Sequence, residues 1–459
     1  MSFVKTITAV LLLVAATLLM PGDARATAAP GGLANLEAVL PVMSCADLTT
    51  VELSGVTITS AVVTSANAPA PYCAVTGTIA PANTVVMRLP TQGWTQRYLQ
   101  TGCGGLCGSA TINYTQAAGC RPVADATIAS ATTDMGHQGK NDGSWAAGNI
   151  VVQNTFHHAW NVLANKDANG QYILLADKLP LIHAAVIRAC DRLDGVADGI
   201  LDDPRDCRFD PGTLVCPDTA TCLTRAQAAV VRKLHDGATD ADGRRLEQEI
   251  SHEWGSELDW TLFVPAKQGD VTFSENIALS FLRYLAYRNV ADPDYQLTDL
   301  KFTLASFRET VRTSDYLSAT DPDLSRFRRG GGKLVLWHGW SDQHISPQAT
   351  LNYYDTMRRT MGGRTVDAFA RLYLFPGMAH CGGGLGPNTF DVLTPVMAWV
   401  ETGTRPGSIV ATPATTSRAV APFVERGAPA AGYDWAGAAL YTHGYQKTCR
   451  VVNGKLVCS

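Results

Sequence analysis

The chain has 459 residues, 46% of them hydrophobic and only 17% charged. That excludes a disordered or fibrous protein and leaves enough apolar surface for a large core, at a length of about three domain-sized units. Lys and Arg total 37 against 41 Asp and Glu, a formal charge of -4, so there is no basic field for nucleic acid.

Residues 1–26 read as a cleaved secretory signal. Lys5 precedes the apolar run Ile7 to Met20, Pro21-Gly22 breaks it, and Ala24-Arg25-Ala26 supplies small residues for cleavage. The run is shorter than the roughly 20 residues that span a bilayer, which argues against an anchor. A secreted or periplasmic protein, with no membrane contact after cleavage, is therefore expected. There the 12 cysteines are free to form disulfides. Cys45 and Cys73 flank an early strand region, Cys190 and Cys207 bracket an acidic loop, Cys216 and Cys222 close a short one, and Cys449 and Cys458 staple the C-terminus. Zinc is the alternative, but the close pair Cys103 and Cys107 sits in a glycine loop with no partner pair at finger spacing.

Short β-branched runs over residues 51 to 90 predict strands joined by turns, and Arg97 to Gly102 predicts a strand opening onto the glycine-rich loop 102–108. Residues 150–330 change character, mixing helical stretches (179–190 and 225–237) with Asp-rich loops and aromatic residues such as Trp254, Trp260, Phe281 and Tyr284. His157 and His158 read as packing residues, and Asp134 with His137 as a brace for a turn. In the acidic loop, Asp191, Asp194 and Asp198 alternate with glycines. Hard oxygen ligands on tight turns suit Ca²⁺, although the spacing is not that of an EF-hand and a solvated acidic turn is the alternative.

Beyond the hinge Arg328–Gly332 the pattern becomes strand and helix in alternation. Leu334–Trp337 is a buried strand leading to Asp342, Ser346-Pro347 starts a helix that closes on glycine, and Ala370–Phe375 is a second strand leading to His380. Two such units imply a parallel sheet with Asp342 and His380 past the carboxyl ends of adjacent strands, where ligands bind in open α/β sheets. A carboxylate that takes the proton of one imidazole nitrogen leaves the other as a general base. Taken singly, Asp342 reads as a turn cap and His380 as a loop histidine; the shared context favours the pair. No Gly-x-Ser-x-Gly elbow accompanies them. Ser109, Ser144 and Ser341 all lack that setting.

Taken together, Tyr72–Gly77, Thr133-Asp134-Met135-Gly136-His137, Asp142-Gly143-Ser144-Trp145, Lys178-Leu179-Pro180, His338-Gly339-Trp340-Ser341-Asp342 and Gly377-Met378-Ala379-His380-Cys381 resemble the tannase/feruloyl esterase family. The resemblance implies an α/β-hydrolase-type, mostly parallel sheet with a large inserted lid, stapled by disulfides. On that basis 27–149 and 331–459 form a discontinuous hydrolase domain and 150–330 the lid. It further implies hydrolysis of aromatic (phenolic) acid esters by a serine triad without an organic cofactor. Asp342 is then the triad acid, His380 the base, and Gly104 and Gly105 the oxyanion loop. The family's lid calcium loop suggests as ligands the side chains of Asp191, Asp194 and Asp198 with the carbonyls of Val196 and Ile200, in a structural role.

The chain departs from the family at its centre. The expected Gly-Cys-Ser-x-Gly-Gly elbow is missing between Trp145 and the lid: Gly148-Asn149 runs straight into Ile150–His158. A central strand and elbow unit of roughly 40 to 80 residues is thus absent near 149–150, and Cys381 loses its implied partner. The sequence predicts an esterase lineage with acid and base but no nucleophile. A non-catalytic secreted binding protein and an incomplete gene product are the alternatives.

Overall fold

The computed structural model describes residues 32–102, 104, 108–138, 154–218, 221–246, 252–284, 286–287, 291–314, 320–380, 382–412, 418–420, 449–452 and 455–458. The signal 1–26, the 149–150 junction, Gly105, Cys103, Cys107 and Cys381 lie outside these. The chain divides into two compact units, 1–141 with 391–405, and 142–390 with 406–459.

The first unit holds a five-stranded mixed sheet in the order β1-β2-β3-β5-β4. Its strands are β1 (Val56–Thr64), β2 (Tyr72–Ile79), β3 (Asn83–Pro90), β4 (Tyr98–Gln100) and β5 (Ala129–Thr133). β1, β2 and β3 are antiparallel neighbours. They are joined by connections too short for the crossover that parallel pairing needs. β5 pairs antiparallel with β3 and parallel with β4. Ala61, Cys73 and Val75 form the core of one face, with Ile58, Met87 and Leu89 packed against them.

In the second unit β6 (Leu334–Gly339) and β7 (Ala370–Phe375) pair in parallel, from Leu334 opposite Ala370 to Gly339 opposite Phe375. The crossover is the helix Pro347–Met361, capped by the Ser346 hydroxyl accepting from the Gln348 N–H, with proline in the first turn and Gly362 at its end. Leu351, Tyr354 and Met357 of that helix bury against Leu372, Leu374 and Trp340. The helical stretches read from the sequence are Leu179–Cys190 and Arg225–Asp236. Their inner faces close a core around Leu174, Leu223, Trp254, Trp260 and Phe263. The aromatic residues Trp254, Trp260 and Phe281 are thus buried packing.

Disulfides join Cys45–Cys73, Cys190–Cys207 and Cys216–Cys222, as the spacing predicted. Cys449 and Cys458 stand opposite each other in a two-stranded ribbon, Cys449–Val452 with Lys455–Cys458. Among the described residues Cys120 is a buried free thiol. No described helix is long and apolar enough to cross a membrane.

Candidate active site

The loops after β6 and β7 are stitched together before any side chain is considered. Trp340 N–H donates to the Phe375 carbonyl at 2.9 Å and Ser341 N–H to the Met378 carbonyl at 3.0 Å. Gly339 permits this approach: a Cβ there would lie 2.1 Å from the Met378 oxygen. Gly377, at a positive φ of 62°, turns the second loop back. Both strand ends therefore deliver their polar residues to one place.

His380 Nδ1 lies 2.9 Å from Asp342 Oδ2 and 3.1 Å from Oδ1. Asp342 is buried, and its Oδ1 accepts the backbone N–H groups of His344 and Ile345, each at 2.8 Å. Burial alone would raise this carboxyl, but hydrogen bonds from His338 and His380 outweigh it and hold the group well below the usual carboxylate range. His380 keeps 40% of its side-chain surface exposed. With the carboxylate on Nδ1, the ring is held in the tautomer whose Nε2 accepts a proton.

The sequence model of the family described as tannase and feruloyl esterase matches residues 72–150 and 144–450. The chain belongs to this family.

Two curated relatives illustrate the range. Mono(2-hydroxyethyl) terephthalate hydrolase from Piscinibacter sakaiensis is 33% identical over 270 residues, covering 51% of this chain and 44% of that protein. A probable feruloyl esterase from Arthroderma benhamiae is 32% identical over 243 residues, covering 50% and 44%. The chain thus spans less than half the length of these relatives. Among solved structures, feruloyl esterase B from Aspergillus oryzae superposes with a TM-score of 0.67 over 90% of this chain and 99% of its own, at 20% identity. Tannin acyl hydrolase from Aspergillus niger gives 0.61 over 88% and 92%, at 17% identity. The fold is therefore the α/β-hydrolase type of the tannase and feruloyl esterase family.

Of the other residues this family implies, Gly104 is exposed in the loop after β4, in the first unit, and Gly105 lies outside the described residues. Asp134 braces a turn, as read: its Oδ1 accepts from the N–H groups of Thr84 and Gly136 at 2.9 Å. In the acidic loop, Asp191 accepts from Gly199, Asp194 from Val196 and Asp202, and Asp198 from Ile200, all backbone N–H groups. No three His, Cys, Asp or Glu side chains among the described residues converge as metal ligands. A cavity of about 200 Å³ beside the Cys190–Cys207 disulfide is lined by Asp194, Asp202, Asp203 and Asp206, so of the aspartates read from the sequence only Asp194 borders it; carboxylate oxygens of this kind are the hard ligands that Ca²⁺ takes. The other three stand in the run Asp202-Asp203-Pro204-Arg205-Asp206, which the sequence reading did not single out.

A buried histidine array was not legible at all. The His344 ring lies tilted 4.9 Å from His380 and 5.5 Å from His158. His158 lies 5.2 Å from His157, and His157 4.8 Å from His252. His158 Nδ1 is bonded to Ser274 Oγ at 2.9 Å. Burial first, then the neighbouring imidazoles, lowers His344 to about 4 and His252 to about 3, and pushes His157 and His158 well down. His157 and His158 do pack inside, as read, but as part of a neutral array that reaches the acid–base pair.

Proposed function

We propose that this chain is a secreted or periplasmic carboxylic-ester hydrolase for esters of aromatic, phenolic acids by descent, in which the serine mechanism is interrupted. The observation that carries it is the hydrogen-bonded Asp342–His380 pair at the ends of two parallel strands. In that mechanism the serine oxygen attacks the ester carbonyl while His380 takes its proton, and His380 then protonates the departing alcohol. Asp342 steadies the imidazolium formed between the two steps. The names of the relatives, a terephthalate monoester hydrolase and feruloyl esterases, support the substrate class.

A non-catalytic reading also has support: no Gly-Cys-Ser-x-Gly-Gly stretch occurs in the sequence, and the family match falls into two segments meeting at residues 144–150. Without the nucleophile, binding and oxyanion contributions leave only a small residue of triad activity. A fluorophosphonate probe is expected to leave the purified chain unlabelled; stoichiometric labelling of a serine would overturn the interruption. Saturable binding of a phenolic ester without turnover then distinguishes a binding protein from a fragment. Sequencing the coding region across residues 145 to 155 tests whether the gap is native.

The acidic loop is proposed to hold a structural Ca²⁺ through Asp191, Asp194 and Asp198, with the carbonyls of Val196 and Ile200. It abuts the site: Arg205 lies over the Trp340 ring at 5.1 Å. Excess chelator is expected to lower the melting temperature, because calcium at a hundredfold over its dissociation constant adds about 2.7 kcal/mol. Identical melting curves with chelator and with added calcium would remove the assignment.

A further inference from the structure

Asp342 is bonded by two histidines, and only one of them has a part in the proposed chemistry. His338, the last residue but one of β6, brings Nε2 to 3.2 Å from Asp342 Oδ2 and 2.9 Å from the Ile345 carbonyl. Its Nδ1 lies 2.7 Å from Thr350 Oγ1. A carbonyl oxygen only accepts, so Nε2 carries the hydrogen and shares it between Ile345 and the carboxylate. Nδ1 is then the acceptor, and the Thr350 hydroxyl donates to it. Both ring nitrogens are engaged and the ring is 9% exposed, so its orientation is fixed.

We propose that His338 is a positioning residue for the Asp342–His380 pair, its Nε2–H fixing the plane of the carboxylate so that Oδ2 meets the Nδ1–H of His380. The inference rests on the reading of that pair as acid and base. Oδ1 is anchored by two backbone N–H groups, whereas Oδ2 is bonded by side chains alone, those of His338 and His380. The carboxylate torsion is a broad, soft one, so a carboxylate held only at Oδ1 can swing. Among the influences that lower the Asp342 carboxyl against its burial, the His338 hydrogen bond stands first. Of the other imidazoles nearby, His344 lies against His380 and His158 against His344.

The test is the low-field proton NMR signal of His380 Nδ1–H in the full chain, together with its rate of exchange with water. In His338→Leu the exchange is expected to quicken by about tenfold or more, the scale set by losing one hydrogen bond to a charged group. His338→Gln keeps a donor over Oδ2 and an acceptor for Thr350, and is expected to restore slow exchange. Thr350→Val, which removes only the hydroxyl that anchors the ring, is expected to quicken exchange to a smaller degree. That variant decides the matter if His338→Leu does not fold. Unchanged exchange in the folded variants overturns the role of His338. Absence of the signal from the wild-type chain overturns the acid–base reading, and the inference with it.

Discussion

Acidification from pH 7 to pH 4.5 is expected to unfold the second unit. His157, His158, His252 and His344 are all buried and held below the ordinary histidine value, His344 at about 4 and His252 at about 3. Each therefore binds a proton in the unfolded chain that it refuses in the folded one. The stability they contribute is fully present above the unfolded value of about 6.5 and is lost as pH falls from there toward the folded values. At 1.36 kcal/mol per unit, His252 and His344 each cost the fold roughly 2 to 3 kcal/mol at pH 4.5, and His157 and His158 act in the same direction, against the 5 to 15 kcal/mol of a typical domain. Contacts between the rings make the sum less than additive.

Other groups bracket this window. Asp342, lowered in the fold, contributes stability that is lost only below the unfolded carboxylate range, so it acts at lower pH. Glu253, whose carboxylate accepts from Gln348, and Asp259 are both raised by burial and oppose this loss on acidification. The measurement is the urea midpoint from pH 7 down to 4.5, with an expected net uptake of protons on unfolding. His252 offers the attribution, because its Nδ1 is buried without a hydrogen-bond partner and its ring stacks 4.4 Å from Phe263. His252→Phe is expected to reduce the uptake by about one proton. A midpoint that stays level between pH 6.5 and 5 sinks the idea.

The sequence disclosed whatever was local. Apolar period and end signals located Leu179–Cys190, Arg225–Asp236 and the strand Ala370–Phe375. Asp342 and His380 were legible because each follows a strand directly, and the parallel pairing of two strand–helix units brings such positions together. β5 escaped because Ala129-Ser130-Ala131-Thr132-Thr133 is built of small residues and carries no β-branched alternation, although it is buried at the heart of its sheet. The His344, His158 and His252 array escaped for a different reason. Its members come from separate segments, and ring contacts between remote segments leave no period in the sequence. His338 lay inside a quoted motif, yet its role depends on Ile345 and Thr350, which only the folded loop presents to it.

Replacing Glu401 with Ala is expected to cost the first unit about 3 to 5 kcal/mol. Arg97 meets Glu401 in a two-pronged pair, Nε to Oε1 at 2.6 Å and Nη2 to Oε2 at 2.8 Å, across 304 positions of sequence. The same Nη2 donates to the Ala34 carbonyl, and the Ala34 N–H returns a bond to Glu401 Oε2, both at 2.8 Å. Three remote segments, the stretch at Ala34, the approach to β4 and the helix Leu393–Thr402, are thereby closed into one hydrogen-bonded ring. The side chains are only 9% and 14% exposed, so screening by water is weak. Losing one partner strands the other as a buried, unpaired charge, which is costlier than the pair is worth. The double variant Arg97→Met with Glu401→Met separates these two quantities: it removes both charges, and is expected to recover most of the loss. Guanidinium unfolding of the two single variants and the double gives the coupling directly. A Glu401→Ala loss below about 1 kcal/mol would place the pair among ordinary surface salt bridges and refute its role as the clasp of the first unit.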